Sequence, residues 1–116
     1  MRLRFLRSKT IHEIQEAFSQ EFPFLKLEFY PQTGSKGLKR HLMHGSSLAD
    51  AGMKKEEAFI DVNRYMTVAE LENLLTKELG VDAQVSRKSG QLWLETTMTD
   101  GWTLDKQDTH GRELEN

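Results

Sequence analysis

The apolar positions at the start of the chain indicate a strand, a helix and a second strand. Residues 2–7 (RLRFLR) alternate polar and apolar side chains, which is typical of a half-buried strand. Residues 8–22 carry an apolar stripe at helical spacing, which consists of Ile11, Ile14, Phe18 and Phe22. Pro23 ends the helix because it lacks an amide hydrogen. Alternation resumes over residues 24–30 (FLKLEFY), where we expect the second strand.

The same pattern recurs 57 positions further along the chain. Residues 58–63 (AFIDVN) alternate as a strand, and the helical stripe that follows consists of Val68, Leu71, Leu75 and Leu79. Each helix begins with a capping-box pattern, in which a hydroxyl and a carboxylate satisfy free backbone amides. The two capping pairs are Thr10 with Glu13 and Thr67 with Glu70. We therefore predict two strand–helix–strand units in tandem.

Two such units predict an α+β fold, a two-layer ferredoxin-like βαββαβ sandwich with both helices on one face of an antiparallel sheet. Ser89 and Gly90 lie between two alternating runs and predict a two-residue hairpin turn that pairs Lys88 with Gln91. This hairpin adds a fifth strand, whose leucines we expect on the helix-covered face. The predicted strand order is 5-4-1-3-2.

A single domain is expected over residues 1–106, because a chain of 116 residues has the size that one core supports. Residues 32–56 are expected to be a flexible insertion between strands 2 and 3. A loop of that length is unusual in a small domain, and this one has few apolar residues. Residues 107–116 (QDTHGRELEN) are polar and are expected to form a C-terminal tail.

Composition and charge narrow the functional classes. The chain has no cysteine, which excludes disulfides and thiolate metal sites. No apolar run approaches the roughly 20 residues of a membrane span, and no signal peptide is recognised. We therefore expect a small soluble cytoplasmic protein without membrane contact. The net charge of −2 conceals a basic segment at residues 31–56, which can attract an anionic partner.

The most basic stretch of the chain reads TGSKGLKRHLMHG and contains Lys36, Lys39 and Arg40. It lacks the GxxxxGK[ST] spacing of a phosphate-binding loop. His41 and His44 could share one face of a short helix, but zinc normally takes three or four protein ligands. We therefore predict no metal and no cofactor. No catalytic constellation is recognised, which favours a non-enzymatic protein, and an enzyme that uses these two histidines with a metal is a further alternative.

The predicted sheet face that the helices leave uncovered carries aromatic and basic side chains. The candidate binding residues are Arg4, Tyr30, Phe59 and Trp93 on this face, and Lys36, Lys39 and Arg40 in the basic loop. Our leading hypothesis is a protein-binding or self-associating module that uses this face and this loop. The alternative is a nucleic-acid-binding domain, in which rings stack on bases and cations contact phosphates. Acidic residues on the same face, namely Glu28, Asp61 and Glu95, would repel phosphate.

Overall fold

The computed structural model describes residues 1–31, 42–43 and 45–114. Within this part of the chain the fold is α+β, with three helices and two antiparallel sheets. The elements in chain order are β1 (Arg2–Leu6), α1 (Ile11–Glu21), β2 (Leu25–Tyr30), β3 (Glu57–Asp61), α2 (Val68–Leu79), β4 (Asp82–Ser89), β5 (Leu92–Glu95) and α3 (Leu104–Leu114), with a 3-10 turn at Thr97–Thr99. Across these described ranges, no helix has the length and apolar character needed to cross a membrane.

Helices α1 and α2 confirm the predicted apolar stripes and helix starts. In α2 the Thr67 hydroxyl accepts the Glu70 amide, and the Glu70 carboxylate accepts the Thr67 amide, as a capping box requires. In α1 the Thr10 hydroxyl accepts the Glu13 amide at 3.3 Å. Gly80 closes α2 with a φ of 69°, a left-handed conformation that glycine adopts without strain.

The strand order differs from the predicted 5-4-1-3-2. One sheet contains β1 and β3, and the other contains β2, β4 and β5 in that order, with all neighbours antiparallel. Each strand of the first unit therefore pairs with its counterpart in the second unit, and the single sheet of the ferredoxin-like prediction does not form. Alternation fixes which face of a strand is buried but not which neighbour it takes. The long connection after β2 also removes the tight hairpin that would hold β2 beside β3.

The inner faces of both sheets meet the apolar faces of α1 and α2 in one core. The largest buried aromatic side chains of this core are Phe5, Phe18, Phe22 and Phe29. On the outer face of β2, Glu28 and Tyr30 are also buried, so this strand is largely covered on both of its faces.

The internal repeat extends beyond the two strand–helix–strand units. When the two units are aligned with a shift of 57 positions, the six residues of β2 correspond to residues 82–87 of β4. These are also the β4 residues with which β2 pairs. Later in each unit, a short segment bonds to the start of a helix in the same way. The Ile11 amide donates to the Ser46 carbonyl at 2.8 Å, and the Val68 amide donates to the Trp102 carbonyl at 3.0 Å. The two strand–helix–strand units and these short segments are thus related by an approximate twofold symmetry, whereas β5 and α3 have no counterpart among the described residues of the first unit.

Residues 45–56, which the sequence analysis assigns to a flexible insertion, contribute to the core. The buried residues of this segment are Leu48, Ala51 and Met53. Leu104 is the counterpart of Leu48 in the second unit and is also buried. The insertion prediction is wrong for residues 45–56, because these apolar residues are spaced with neither a strand nor a helix period. Residues 32–41 lie outside the described residues.

The turn of the β4–β5 hairpin consists of Gly90 and Gln91, and Ser89 pairs with Leu92. The predicted register is therefore wrong by two residues. Gly90 has a φ of 61°, and glycine supplies the left-handed first position of such a two-residue turn. A shift of two keeps each side chain on its predicted face. However, β5 lies at the sheet edge, so Leu92 and Leu94 are exposed instead of being covered by a helix.

Residues 107–114, which the sequence analysis assigns to a polar tail, form most of α3. The buried Asp108 carboxylate accepts the Phe24 amide at 2.9 Å. Gly111 packs so closely on Phe24 that a Cβ atom added to this glycine would lie 2.8 Å from the Phe24 Cβ. The tail prediction is wrong for these residues because α3 docks through polar contacts and a glycine, which leave no apolar stripe in the sequence.

Candidate functional site

Strand β5 is the edge strand of the three-stranded sheet, and no described strand pairs with its outer side. The Thr96 amide donates to the Val85 carbonyl, which sets the alternation of hydrogen-bonded pairs along the β4–β5 ladder. By this alternation, Trp93 and Glu95 turn their backbone N–H and C=O groups away from β4. An antiparallel strand could form hydrogen bonds with these groups.

Three of the four side chains of β5 are apolar, and all four are exposed. Leu92 and Leu94 lie on the inner face and are 65% and 44% exposed, and Trp93 lies on the outer face and is 39% exposed. Met98, just after the strand, is 96% exposed. Several exposed apolar side chains on one short edge strand are a candidate interaction site. We refer to Leu92, Trp93, Leu94, Glu95 and Met98 as the β5 surface.

Charged and polar side chains on the outer face are tied to one another around Trp93. Lys26 Nζ lies 5.6 Å from the centroid of the Trp93 ring and 3.1 Å from Glu28 Oε1. The Tyr30 hydroxyl donates to Glu95 Oε1 at 3.1 Å. Burial, and then this hydrogen bond, raise the pKa of Tyr30 well above its usual value, so the hydroxyl remains a donor at neutral pH. These contacts join Trp93 and Glu95 to side chains of β2.

A groove of about 390 Å³ lies between α1 and the outer face of this sheet. It is lined by residues of α1 and β2, by residues 42–43 and by Trp93. Gln15 and Ser19 of α1 each donate a side-chain hydrogen bond to a β2 carbonyl at this edge. The α1 side of the sheet is therefore partly closed by side chains. The groove reaches Trp93, so it is continuous with the β5 surface.

The structure separates residues that the sequence analysis groups on one face. Tyr30 and Trp93 lie on the outer face of the β2–β4–β5 sheet, whereas Arg4 and Phe59 pair with each other in the β1–β3 sheet. The predicted loop residues Lys36, Lys39, Arg40, His41 and His44 lie outside the described residues. In the part of the chain that is described, no group of three or more histidine, cysteine, aspartate or glutamate side chains is placed to hold a metal ion.

The arginines of the β1–β3 sheet are paired with carboxylates. Arg2 Nε lies 2.8 Å from Asp61 Oδ1, and a guanidinium nitrogen of Arg4 lies 2.7 Å from Glu57 Oε2. The hydrogen bond from Arg2 lowers the pKa of Asp61 and keeps this carboxylate ionised. The Arg2 guanidinium also lies 5.7 Å from the Phe59 ring centroid. A surface whose cations are matched by neighbouring carboxylates attracts phosphate weakly.

Sequence reasoning missed part of the β5 surface. It placed Leu92 and Leu94 on the helix-covered face, and it gave Met98 no role. One signal for the exposure of Leu92 and Leu94 was present in the sequence analysis. The predicted strand order already puts the fifth strand at an edge of the sheet, and two helices on one sheet face do not cover that edge. Gln15 and Ser19 were missed because their role depends on which edge of β2 lies beside α1.

The chain matches no protein-family model, no curated protein and no solved structure. No function can therefore be carried over from a relative, and any functional proposal rests on the geometry of this chain.

Proposed function

We propose that this chain is a small non-enzymatic protein-binding module, which takes an extended segment of its partner as an added strand along β5. The observation that carries the proposal is the open edge of β5. There Trp93 and Glu95 present backbone donors and acceptors between exposed apolar side chains. Strand addition obtains affinity from main-chain hydrogen bonds and specificity from side-chain contacts.

An open apolar edge is unusual for a protein that works alone. Native sheets protect their edges with charges, proline, bulges or covering segments, because unpaired backbone groups recruit other strands. The edge of β2 follows this rule, since Gln15 and Ser19 bond to its carbonyls. Within the described residues, the edge of β5 has no cover of this kind, and Glu95 is the one charged residue of the strand.

The groove gives the partner a further contact in this proposal, and the charge of the basic segment indicates which partners it would attract. A strand added to β5 would lie beside Trp93, where the groove ends, so a partner side chain could pack on this ring. The basic residues Lys36, Lys39 and Arg40 would favour a partner that carries acidic residues.

Nucleic-acid binding is the alternative, and the described residues support it less. Phosphate contacts need available cations, whereas Arg2 and Arg4 are paired with carboxylates of β3. The basic loop is its remaining support. This alternative predicts that the affinity for an oligonucleotide falls steeply with salt. Failure to retard single-stranded or duplex oligonucleotides at about 50 mM salt would exclude it.

Selection from a displayed library of random peptides tests the strand-addition proposal. The variant Glu95→Pro removes one outward-facing amide, and it leaves the ladder to β4 intact because the Glu95 backbone faces away from β4. Glu95→Ala is the matched control. It removes the same carboxylate and the same hydrogen bond with Tyr30, but it keeps the amide.

Peptides selected on the unmodified chain should bind Glu95→Ala with similar affinity. They should bind Glu95→Pro about tenfold more weakly, which corresponds to about 1.4 kcal/mol and to the loss of one or two backbone hydrogen bonds. Equal binding to both variants, with both shown to be folded by circular dichroism, would exclude β5 as the site of strand addition.

A further inference from the structure

The edge of β5 is complementary to itself, because its two outward-facing residues lie on either side of Leu94. We propose that the segment added to β5 is the β5 strand of a second copy of this chain, in antiparallel orientation about a twofold axis at Leu94. This inference rests on the proposed function and names its partner. The two three-stranded sheets would join into one continuous sheet.

The outward-facing residues of two antiparallel strands must lie opposite each other, so the twofold axis passes through a residue, and we compare axes at Trp93, Leu94 and Glu95. An axis at Leu94 pairs each Trp93 with the second copy's Glu95, so every outward-facing N–H and C=O group of the strand forms a hydrogen bond. An axis at Glu95 would set two carboxylates directly opposite each other, which is destabilising. An axis at Trp93 would set Glu95 against Gln91, which lies in the hairpin turn. The axis at Leu94 is therefore favoured.

The charged residues of the outer face are compatible with the same register. Each Glu95 would lie opposite the other copy's Trp93, and Lys88 pairs with that Trp93 on its other side. Lys26 pairs with Ser86, in the row of its own Glu95, although its Nζ lies 5.6 Å from the Trp93 ring centroid. A lysine therefore lies one strand beyond each new Glu95–Trp93 pair, and no like charges stand directly opposite each other in this register.

On the inner face, this register brings apolar side chains together. The two copies of Leu94 would form a non-hydrogen-bonded pair, in which the Cα atoms approach to about 4.5 Å. This contact would bury a side chain that is 44% exposed in the single chain. Stable interfaces bury about 1,200–2,000 Å² in total, and a four-residue edge belongs to the weaker class. We therefore expect a dimer that forms as the protein concentration rises.

Single-cysteine variants test this register directly, because the chain has no cysteine of its own. Leu94→Cys would place two thiols across the axis, within the Cα separation of about 4.4–6.8 Å that a disulfide requires. Leu92→Cys is the matched control, since Leu92 is more exposed than Leu94. In the proposed register the two copies of residue 92 would be four positions apart along paired strands, or about 13 Å.

Under oxidising conditions we expect Leu94→Cys to form a reducible dimer and Leu92→Cys to remain mainly monomeric. The mass of the unmodified chain in sedimentation should rise with concentration, and it should rise more for Glu95→Ala than for Glu95→Pro. Two results would overturn the inference. The first is that Leu92→Cys, the more exposed position, forms more disulfide dimer than Leu94→Cys. The second is that the unmodified chain has a monomeric mass at every concentration.

Failure of this inference is distinguishable from failure of the proposed function. If the unmodified chain stays monomeric while selected peptides still need the Glu95 amide, the second copy is the wrong partner and strand addition to β5 stands. If Glu95→Pro and Glu95→Ala behave alike in both sedimentation and peptide binding, β5 is not a binding edge and both proposals are wrong.

Discussion

Replacing Leu48 by alanine tests whether residues 45–56 belong to the folded core. Leu48 is fully buried and is part of the main apolar cluster. Leucine-to-alanine changes at such sites cost about 2–5 kcal/mol, because the transfer free energy of the removed groups is lost and a cavity remains. A domain of this size has a free energy of unfolding of about 5–15 kcal/mol. A loss of about 3 kcal/mol would therefore remove a large share of it.

The assay is reversible unfolding by urea and by heat, followed by circular dichroism. A loss of about 3 kcal/mol should lower the melting temperature of Leu48→Ala by about 12 °C. Leu104→Ala, at the counterpart position in the second unit, should show a similar loss. Leu92→Ala is the exposed control, and it should change the free energy of unfolding by about 0.5 kcal/mol or less.

A melting temperature of Leu48→Ala within about 3 °C of the unmodified chain would refute this reasoning. It would mean that residues 45–56 can leave the core at little cost, as the flexible-insertion prediction requires. A large loss for Leu104→Ala together with a small loss for Leu48→Ala would also refute the symmetry between the two units.

Two further substitutions test contacts that hold the helices in place. Gly111→Ala should destabilise the chain by about 1–2 kcal/mol, because the new Cβ would lie 2.8 Å from the Phe24 Cβ. In a free helix the same change would be stabilising by about 1 kcal/mol. Thermal melting shows whether the melting temperature falls or rises. Glu72 accepts the Val85 amide at 2.8 Å, and burial raises its pKa. The folded state therefore binds the Glu72 proton more tightly than the unfolded state does. Its contribution to stability is present at low pH and is lost as pH rises from about 4.5 through the folded pKa. The melting temperature should therefore fall between pH 4 and 7, and Glu72→Gln should reduce this fall because glutamine does not titrate. Gln15 occupies the counterpart position in α1 and already carries this amide.

The helices and strands were predictable from the sequence because their signals are local. The stripes and caps of α1 and α2 use spacings of three and four residues, and the strands alternate with a period of two. Each of these patterns refers only to residues of one element. For this reason the sequence predicts the elements of both units and the face that each one turns to the core, but not that β2 is buried on its other face as well.

The strand order and the role of residues 45–56 were not predictable in the same way. Strand β2 could pair with β3 or with β4 and still turn the same side chains to the core. Its alternating pattern therefore does not show which strand is its neighbour. Leu48 lies in a short segment with no periodic pattern. The repeat held one further signal, since Gly45-Ser46-Ser47-Leu48 resembles Gly101-Trp102-Thr103-Leu104. Extending the comparison of the two units to these residues would have placed Leu48 beside the start of α1.

The candidate site was predicted in part. Alternation put Trp93 and Tyr30 on the same sheet face, but it could not show that Tyr30 is buried there or that Arg4 and Phe59 belong to another sheet. The importance of the Trp93 and Glu95 backbone depends on which side of β5 has no neighbour. That is a property of the assembled sheet and not of the local sequence.

Hydrogen exchange at the Trp93 and Glu95 amides tests the central claim, strand addition to β5, most directly. In the dilute chain these two amides face away from β4 and should exchange rapidly, while the Leu94 amide, which faces β4, should be protected. Adding a selected peptide, or raising the concentration of the chain itself, should slow exchange at Trp93 and Glu95 together. Unchanged exchange at both amides in the bound state would contradict the account.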